Sequence, residues 1–268
     1  MKLTRAQRWL ALVGICVPMA IQPLNWSIVD TALPTLQREL GASVLQLAWM
    51  INSFGLLISI LLVTMGRLAD IHGGKKFFVA GAILLGVASL IAGFAEHPGW
   101  IIATQGLQGV AGSILMPVSQ ALLSHLFPEK ERAKAIGIWA AVFGIALGLG
   151  PILGGAIITY FGWRWIFFIN IPLVLVGIFF TIRYVTESKS HKHGGTIDPK
   201  GVLLLALSIG SLLLGVMQGP VWGWRSLFTI GLFVLFAMIA FMMEFGSLRQ
   251  LHCWVFFLLY PSKLRFYV

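Results

Sequence analysis

The chain has 268 residues, of which 58% are hydrophobic and only 10% charged, with 19 Lys+Arg against 9 Asp+Glu. Soluble domains carry about 25% charged residues, so this composition excludes a soluble globular enzyme, a disordered chain and a secreted disulfide scaffold. On so apolar a chain, the net charge of +10 fits the cytoplasmic charge excess of a multispan membrane protein better than nucleic-acid binding.

A helix needs about 20 mostly apolar residues to cross the hydrocarbon core. Eight stretches qualify, near 9–34, 46–67, 77–95, 99–123, 134–159, 163–184, 201–219 and 226–245. They run without the two-residue alternation of a barrel strand, so the predicted fold class is all-α and integral to the membrane. With the N-terminus in the cytoplasm, sixteen of the nineteen basic residues fall on the cytoplasmic side, and only Arg38, Arg164 and Arg225 fall outside. That asymmetry predicts a multi-pass protein with a cytoplasmic N-terminus. Cys16 and Cys253 are too few for a disulfide framework or a metal site.

In chain order, the first predicted helix carries Gln22, Asn25 and Asp30, the last being the one acidic residue clearly inside a span. The second carries Asn52, Gly55, Ser59 and Gly66, and the fourth carries Gln105, Gln108, Gly112 and Ser119, each set at helical spacing on one stripe. Amides on several helices serve either as packing contacts or as the lining of a polar cavity. Between the second and third helices, Gly66-Arg-Leu-Ala-Asp70-Ile-His-Gly73-Gly74-Lys75-Lys76 joins a helix-ending carboxylate, paired glycines and a basic pair. It lacks the G-x-x-x-x-G-K-[ST] order of a phosphate loop. The fifth helix is rich in glycine: Gly137, Gly144, Gly148, Gly150, Gly154 and Gly155, with Pro151 expected to bend it.

The predicted organisation is a six-helix bundle over 1–184, a polar cytoplasmic linker over 185–200, two further helices over 201–245 and an atypical tail over 246–268. In that tail the apolar run Trp254–Tyr260 is too short to span. His191 and His193 fit a solvated linker better than a metal site. No Ser/His/Asp or Cys/His arrangement points to catalysis, so the chain reads as no enzyme, with no cofactor and no metal.

Several of these segments resemble the major facilitator superfamily, in particular its fourteen-helix drug:proton antiporter branch. Gly66-x-Leu68-Ala69-Asp70-x-x-Gly73-x-Lys75 is similar to the superfamily's loop signature. Gly137, Gly150-Pro151 and Gly154-Gly155 resemble the antiporter motif of the fifth helix, with Ala146 in place of one glycine. Leu24-Asn-Trp-Ser-Ile-Val-Asp-Thr-Ala-Leu-Pro34 resembles the first-helix motif, Trp163-Arg-Trp-Ile-Phe-Phe-Ile-Asn-Ile-Pro172 the entry to the sixth helix, and Asp198-x-x-Gly201 the lead into two inserted central helices. The chain departs from the family at two places: Asn25 stands where an aspartate is usual, and Gln105 where an arginine is usual.

The resemblance implies the N-terminal six-helix half of a transporter plus two linker helices, and multidrug efflux by proton antiport across a bacterial inner membrane. The implied partners are the lipid bilayer, protons and small organic compounds, cationic or amphipathic, with no nucleic acid. Gln22, Asn25, Asp30, Asn52, Gln105 and Gln108 are expected on the substrate and proton path. The loop of Gly66, Asp70, Gly73 and Lys75 is expected to gate the cytoplasmic side. Gly137, Gly150, Pro151, Gly154 and Gly155 form the antiporter helix motif. An alternative reading makes the chain a truncated, non-transporting remnant, or a half that needs a separate C-terminal half or self-association.

Overall fold

A computed structural model describes residues 4–187 and 199–242. His191, His193, Asp198 and the tail over 246–268 lie outside the described residues, as does most of the linker. The described elements are α1 (Arg5–Leu40), α2 (Val44–His72), α3 (Gly74–Gly93), α4 (Pro98–Leu126), α5 (Glu129–Phe161), α6 (Trp165–Phe168), α7 (Asn170–Tyr184), α8 (Pro199–Trp222) and α9 (Leu227–Met242). No strand occurs among the described residues. Among the described residues, seven segments are long and apolar enough to cross a membrane, α6 and α7 counting as one, and α9 is a shorter apolar helix.

Local chemistry sets the ends. Thr4 and Ser43 each cap a helix with a reciprocal box, Thr4 with Gln7 and Ser43 with Gln46. α1 therefore begins four residues before its apolar stretch and runs on to Gly41, which closes it at φ 64°. α5 begins at Glu129, with Pro128 as its N-cap. The sixth span is not one continuous helix as expected: it breaks at Ile169. Pro172 has no N–H to offer the carbonyl of Phe168, so the ladder loses a bond there. α5, by contrast, continues through Pro151.

By contacts the chain divides into two units, residues 1–196 and 197–268. In the first, α2 packs chiefly on α4 and α1 on α5, while α3 lies on α4 and α7 on α1. Exchanging the first three helices for the next three leaves this pairing unchanged. The six spans are thus two interlocked three-helix repeats, each lending its second helix to the other's first. In the second unit α8 and α9 pack at Gly215, against which Phe233 lies.

The interior of the first unit holds two apolar clusters. One gathers Ile15, Met19, Phe78, Leu85, Leu115 and Leu122. The other gathers Ile28, Leu36, Ala92, Ile101, Trp163 and Phe167. Between these clusters α1, α3, α4 and α7 each contribute buried polar side chains: Asn25, Ser89, Gln105, Gln108 and Asn170.

Candidate functional site: a neutral amide layer behind an aromatic cavity

Those five side chains form one buried network, each 2% exposed or less. The Asn25 amide donates to Gln105 Oε1 at 3.3 Å and also to Gln108 Oε1. Gln108 Nε2 donates to Ser89 Oγ at 3.4 Å. Asn170 Nδ2 donates to Asn25 Oδ1 at 3.4 Å and to Ser89 Oγ at 3.2 Å. Four elements are thereby tied together by neutral bonds, each worth about 0.5–1.5 kcal/mol net, with a larger penalty if one partner is removed. Among the described residues every buried polar side chain is neutral. Nothing in this layer can take up or release a proton near neutral pH.

One turn from the network a cavity of about 250 Å³ opens against four helices. α1 supplies Met19, Gln22, Pro23 and Trp26; α2 supplies Phe54, Gly55, Ile58, Ser59 and Leu62; α4 supplies Gly112 and Met116; and α5 supplies Phe143. Trp26 and Phe54 meet at 5.5 Å between ring centroids, tilted by 54°. The Ser59 hydroxyl donates to the Gly55 carbonyl at 2.8 Å. Among the described residues, no charged side chain lines the cavity.

The residues predicted for the path therefore separate. Gln22 reaches the cavity wall, whereas Asn25, Gln105 and Gln108 lie between helices behind it, bonded to one another. Asn52 is half-buried on α2 and does not line the cavity. Asp30 is exposed on α1, one turn beyond Trp26, and is also outside the lining. Ser89 joins the network unannounced by the sequence, because α3 reads there as a plain apolar helix.

The loop between α2 and α3 is a single residue, Gly73, at φ 108° and ψ 122°. That backbone favours glycine, and a Cβ there would lie 2.7 Å from Glu187 Oε1. Glu187, just beyond α7, accepts the backbone N–H of Lys75 at 3.0 Å, while Lys75 Nζ donates to the Ile182 carbonyl at 2.8 Å. A carboxylate thus sits on the otherwise uncapped N-terminus of α3. Gly66 and Asp70 border a second hollow of about 130 Å³ with Pro117 of α4, and Asp70 is exposed. The role of Glu187 was hidden in the sequence, where it reads as part of the polar linker.

The glycines of α5 face two ways. Gly150 abuts Ser27, and a Cβ on Gly154 would lie 3.1 Å from Ile28 Cγ2, so both bring α5 close to α1. Gly137, Gly144, Gly148 and Gly155 have open space where a Cβ would stand. Pro151 is exposed.

A family model for the Major Facilitator Superfamily matches residues 15–262. The chain is 32% identical over 237 residues to the tetracenomycin C resistance and export protein of Streptomyces glaucescens, covering 88% of this chain and 44% of that protein. It is 33% identical over 227 residues to multidrug resistance protein 3 of Bacillus subtilis (strain 168), covering 84% and 44% respectively. The chain thus spans less than half the length of these relatives. In fold it resembles the crystal structure of the human organic anion transporter MFSD10, with a TM-score of 0.62 at 11% identity, over 79% of this chain and 56% of that one.

Proposed function

The chain belongs to the major facilitator superfamily, a family of membrane transporters rather than enzymes, and we propose that it forms the substrate-facing wall of an exporter of small organic compounds. The observation that carries this reading is the cavity shared by α1, α2, α4 and α5, walled by aromatic and thioether side chains with one amide. Pockets for small organic molecules have this composition: apolar walls with few, placed polar groups. Similarity to a tetracenomycin C export protein and to a multidrug resistance protein supports export as the direction. The N-terminus is cytoplasmic, a reading supported by the sixteen basic residues that fall on one side, and similarity to proteins of Streptomyces glaucescens and Bacillus subtilis supports a bacterial inner membrane as its place.

In this account the residues divide the labour. Gln22 and Trp26 touch the cargo. Asn25, Gln105, Gln108, Ser89 and Asn170 hold α1 against α3, α4 and α7, so the wall moves as a rigid body. Gly73, Lys75 and Glu187 fix the cytoplasmic turn that presents Asp70. Gly150 and Gly154 let α5 lie close on α1, with Pro151 as the place where it bends. Proton antiport by the exporter draws on groups other than Asn25 and Gln105; of the two acidic side chains of α1, Glu39 accepts from Trp163 Nε1 at 2.8 Å, and Asp30 lies within the apolar stretch.

The test is transport by inverted bacterial membrane vesicles bearing the chain, using ethidium and 1,8-naphthalimide as fluorescent cargo. Energised uptake of either compound above that of vesicles without the chain is expected. Uptake equal to that background, with the chain present and folded, refutes the reading.

A further inference from the structure

We propose that the start of α1 and the start of α5 together bind the headgroup of an anionic phospholipid, in the leaflet on the N-terminal side of the membrane. This surface lies at least two turns from the cavity lining on both helices, and the proposal stands apart from the cargo reading.

The first observation is placement. The apolar stretches of α1 and α5 begin at Trp9 and near Lys134. A helix whose apolar stretch fills the hydrocarbon core sets the turn before it among lipid headgroups. α1 packs on α5, so these two turns meet. Arg5 Nε lies 3.3 Å from Glu131 Oε1, and Arg8 Nη1 lies 3.8 Å from Glu131 Oε2. Lys134 adds a third cation, its Nζ 5.6 Å from the centre of the Trp9 ring. Trp9 is itself held against Phe127, edge to face, with ring centroids 5.4 Å apart.

The second observation is incomplete neutralisation. Three cations share one carboxylate, and over residues 5–8 and 129–134 five cations stand against two carboxylates. A guanidinium that meets a carboxylate squarely closes two N–H···O bonds of about 2.7–2.9 Å. Neither arginine does this. Arg5 approaches through Nε alone with its side chain 74% exposed, and Glu131 Oε2 is buried without a hydrogen bond. The guanidinium donors of Arg5 are therefore open to a second anion, which would also relieve the repulsion among the three cations.

The surroundings choose that anion. Phosphodiester oxygens accept from a guanidinium fork and from an ammonium group. Trp9 is the residue type that settles at headgroup depth. One turn further along the same face of α1, Val13 is 42% exposed and offers apolar surface to an acyl chain. A lipid uses all three features, whereas a soluble phosphate uses only the first. A zwitterionic lipid brings its own cation against Arg5 and Lys134, so a headgroup of net negative charge fits best.

The experiment is native mass spectrometry of the purified chain in detergent, titrated separately with phosphatidylglycerol and phosphatidylcholine of identical acyl chains. The first phosphatidylglycerol should bind roughly fivefold tighter or better, about the attraction of one cation near an anionic surface. Arg5→Gln with Lys134→Gln alters two exposed positions. It should keep the helical content and melting temperature and remove most of the preference. Arg67→Gln with Lys76→Gln takes two exposed cations from the region of the α2–α3 turn and should leave the preference intact. Equal affinity for the two lipids overturns the proposal. So does a preference that survives in the Arg5/Lys134 variant, or one that both double variants lose alike. Displacement of the bound lipid by millimolar inorganic phosphate would assign the cations to a soluble anion and overturn it as well.

Discussion

The side-chain amide of Asn25 on α1 donates to Gln105 Oε1 on α4 at 3.3 Å, and both residues are sealed from solvent in the polar layer between two apolar clusters. Two neutral amides thus occupy the places where the resemblance to the family's motifs implies an acid and a base. The exchange is coherent in physical terms. A lone carboxylate or guanidinium in that layer would be buried without a partner, whereas two amides satisfy each other.

Asn25→Asp should therefore be harmful. The carboxylate cannot donate to Gln105 or Gln108, and it buries a charge that no described neighbour matches. A loss on the order of 3–5 kcal/mol follows from breaking such a pairing. Adding Gln105→Arg restores a complementary pair and should recover much of that loss. Thermal melts of both variants in detergent are the measurement. Equal melting temperatures for the single and double variants would show that the two positions are not coupled.

At the α2–α3 turn, Gly73→Ala and Glu187→Ala should fail differently. The first forces a Cβ into a left-handed backbone and against Glu187, a strain of about 1–3 kcal/mol. The second only uncovers the first turn of α3, at about 1 kcal/mol. Hydrogen exchange should quicken at the Lys75 amide in Glu187→Ala while α4 stays protected. Unchanged exchange at Lys75 would remove Glu187 from the turn.

On α5, Gly150→Val should disrupt the bundle, because its side chain would run into Ser27, whereas Gly148→Val should leave the melting temperature within a few degrees. Overpacking of this kind costs about 1–3 kcal/mol and sometimes more. A variant pair with matching melts would mean that α5 does not approach α1 through Gly150.

Orientation is tested in a background lacking Cys16 and Cys253. Cysteines placed at Ser43, before α2, and at Thr186, after α7, are both at exposed positions. An impermeant maleimide should reach Ser43→Cys from the outside of cells and Thr186→Cys only in inverted vesicles. Labelling of both from one side contradicts the assigned topology.

Much of the helical framework can be read from apolar run length, because lipid leaves a spanning segment few options. The helix ends are less accessible to that reading. Hydropathy stops where charges begin, while α1 continues through Gln37, Arg38 and Glu39 to a glycine cap. The break at Ile169 was open to prediction from Pro172 alone. The division of the amides was not. Gln22 and Asn25 are one turn apart on a helix that is apolar on every side, so no periodicity tells which amide meets a cavity and which meets α4. Ser89 is not legible in the sequence because a single serine in an apolar helix has no pattern, nor is Glu187, because its partner, the N–H of Lys75, lies 112 positions away.

The central claim is that cargo occupies the face built by α1, α2, α4 and α5, and cysteine protection tests it most directly. Ser59→Cys places a thiol in the cavity lining, and Ser43→Cys places one at the exposed turn before α2. Their maleimide labelling rates are compared in vesicles with and without a saturating transported dye. The account predicts that the dye slows labelling of Ser59→Cys severalfold and leaves Ser43→Cys unchanged. Equal rates at Ser59→Cys with and without dye, while the vesicles still transport it, would contradict the account and move the cargo to another part of the molecule.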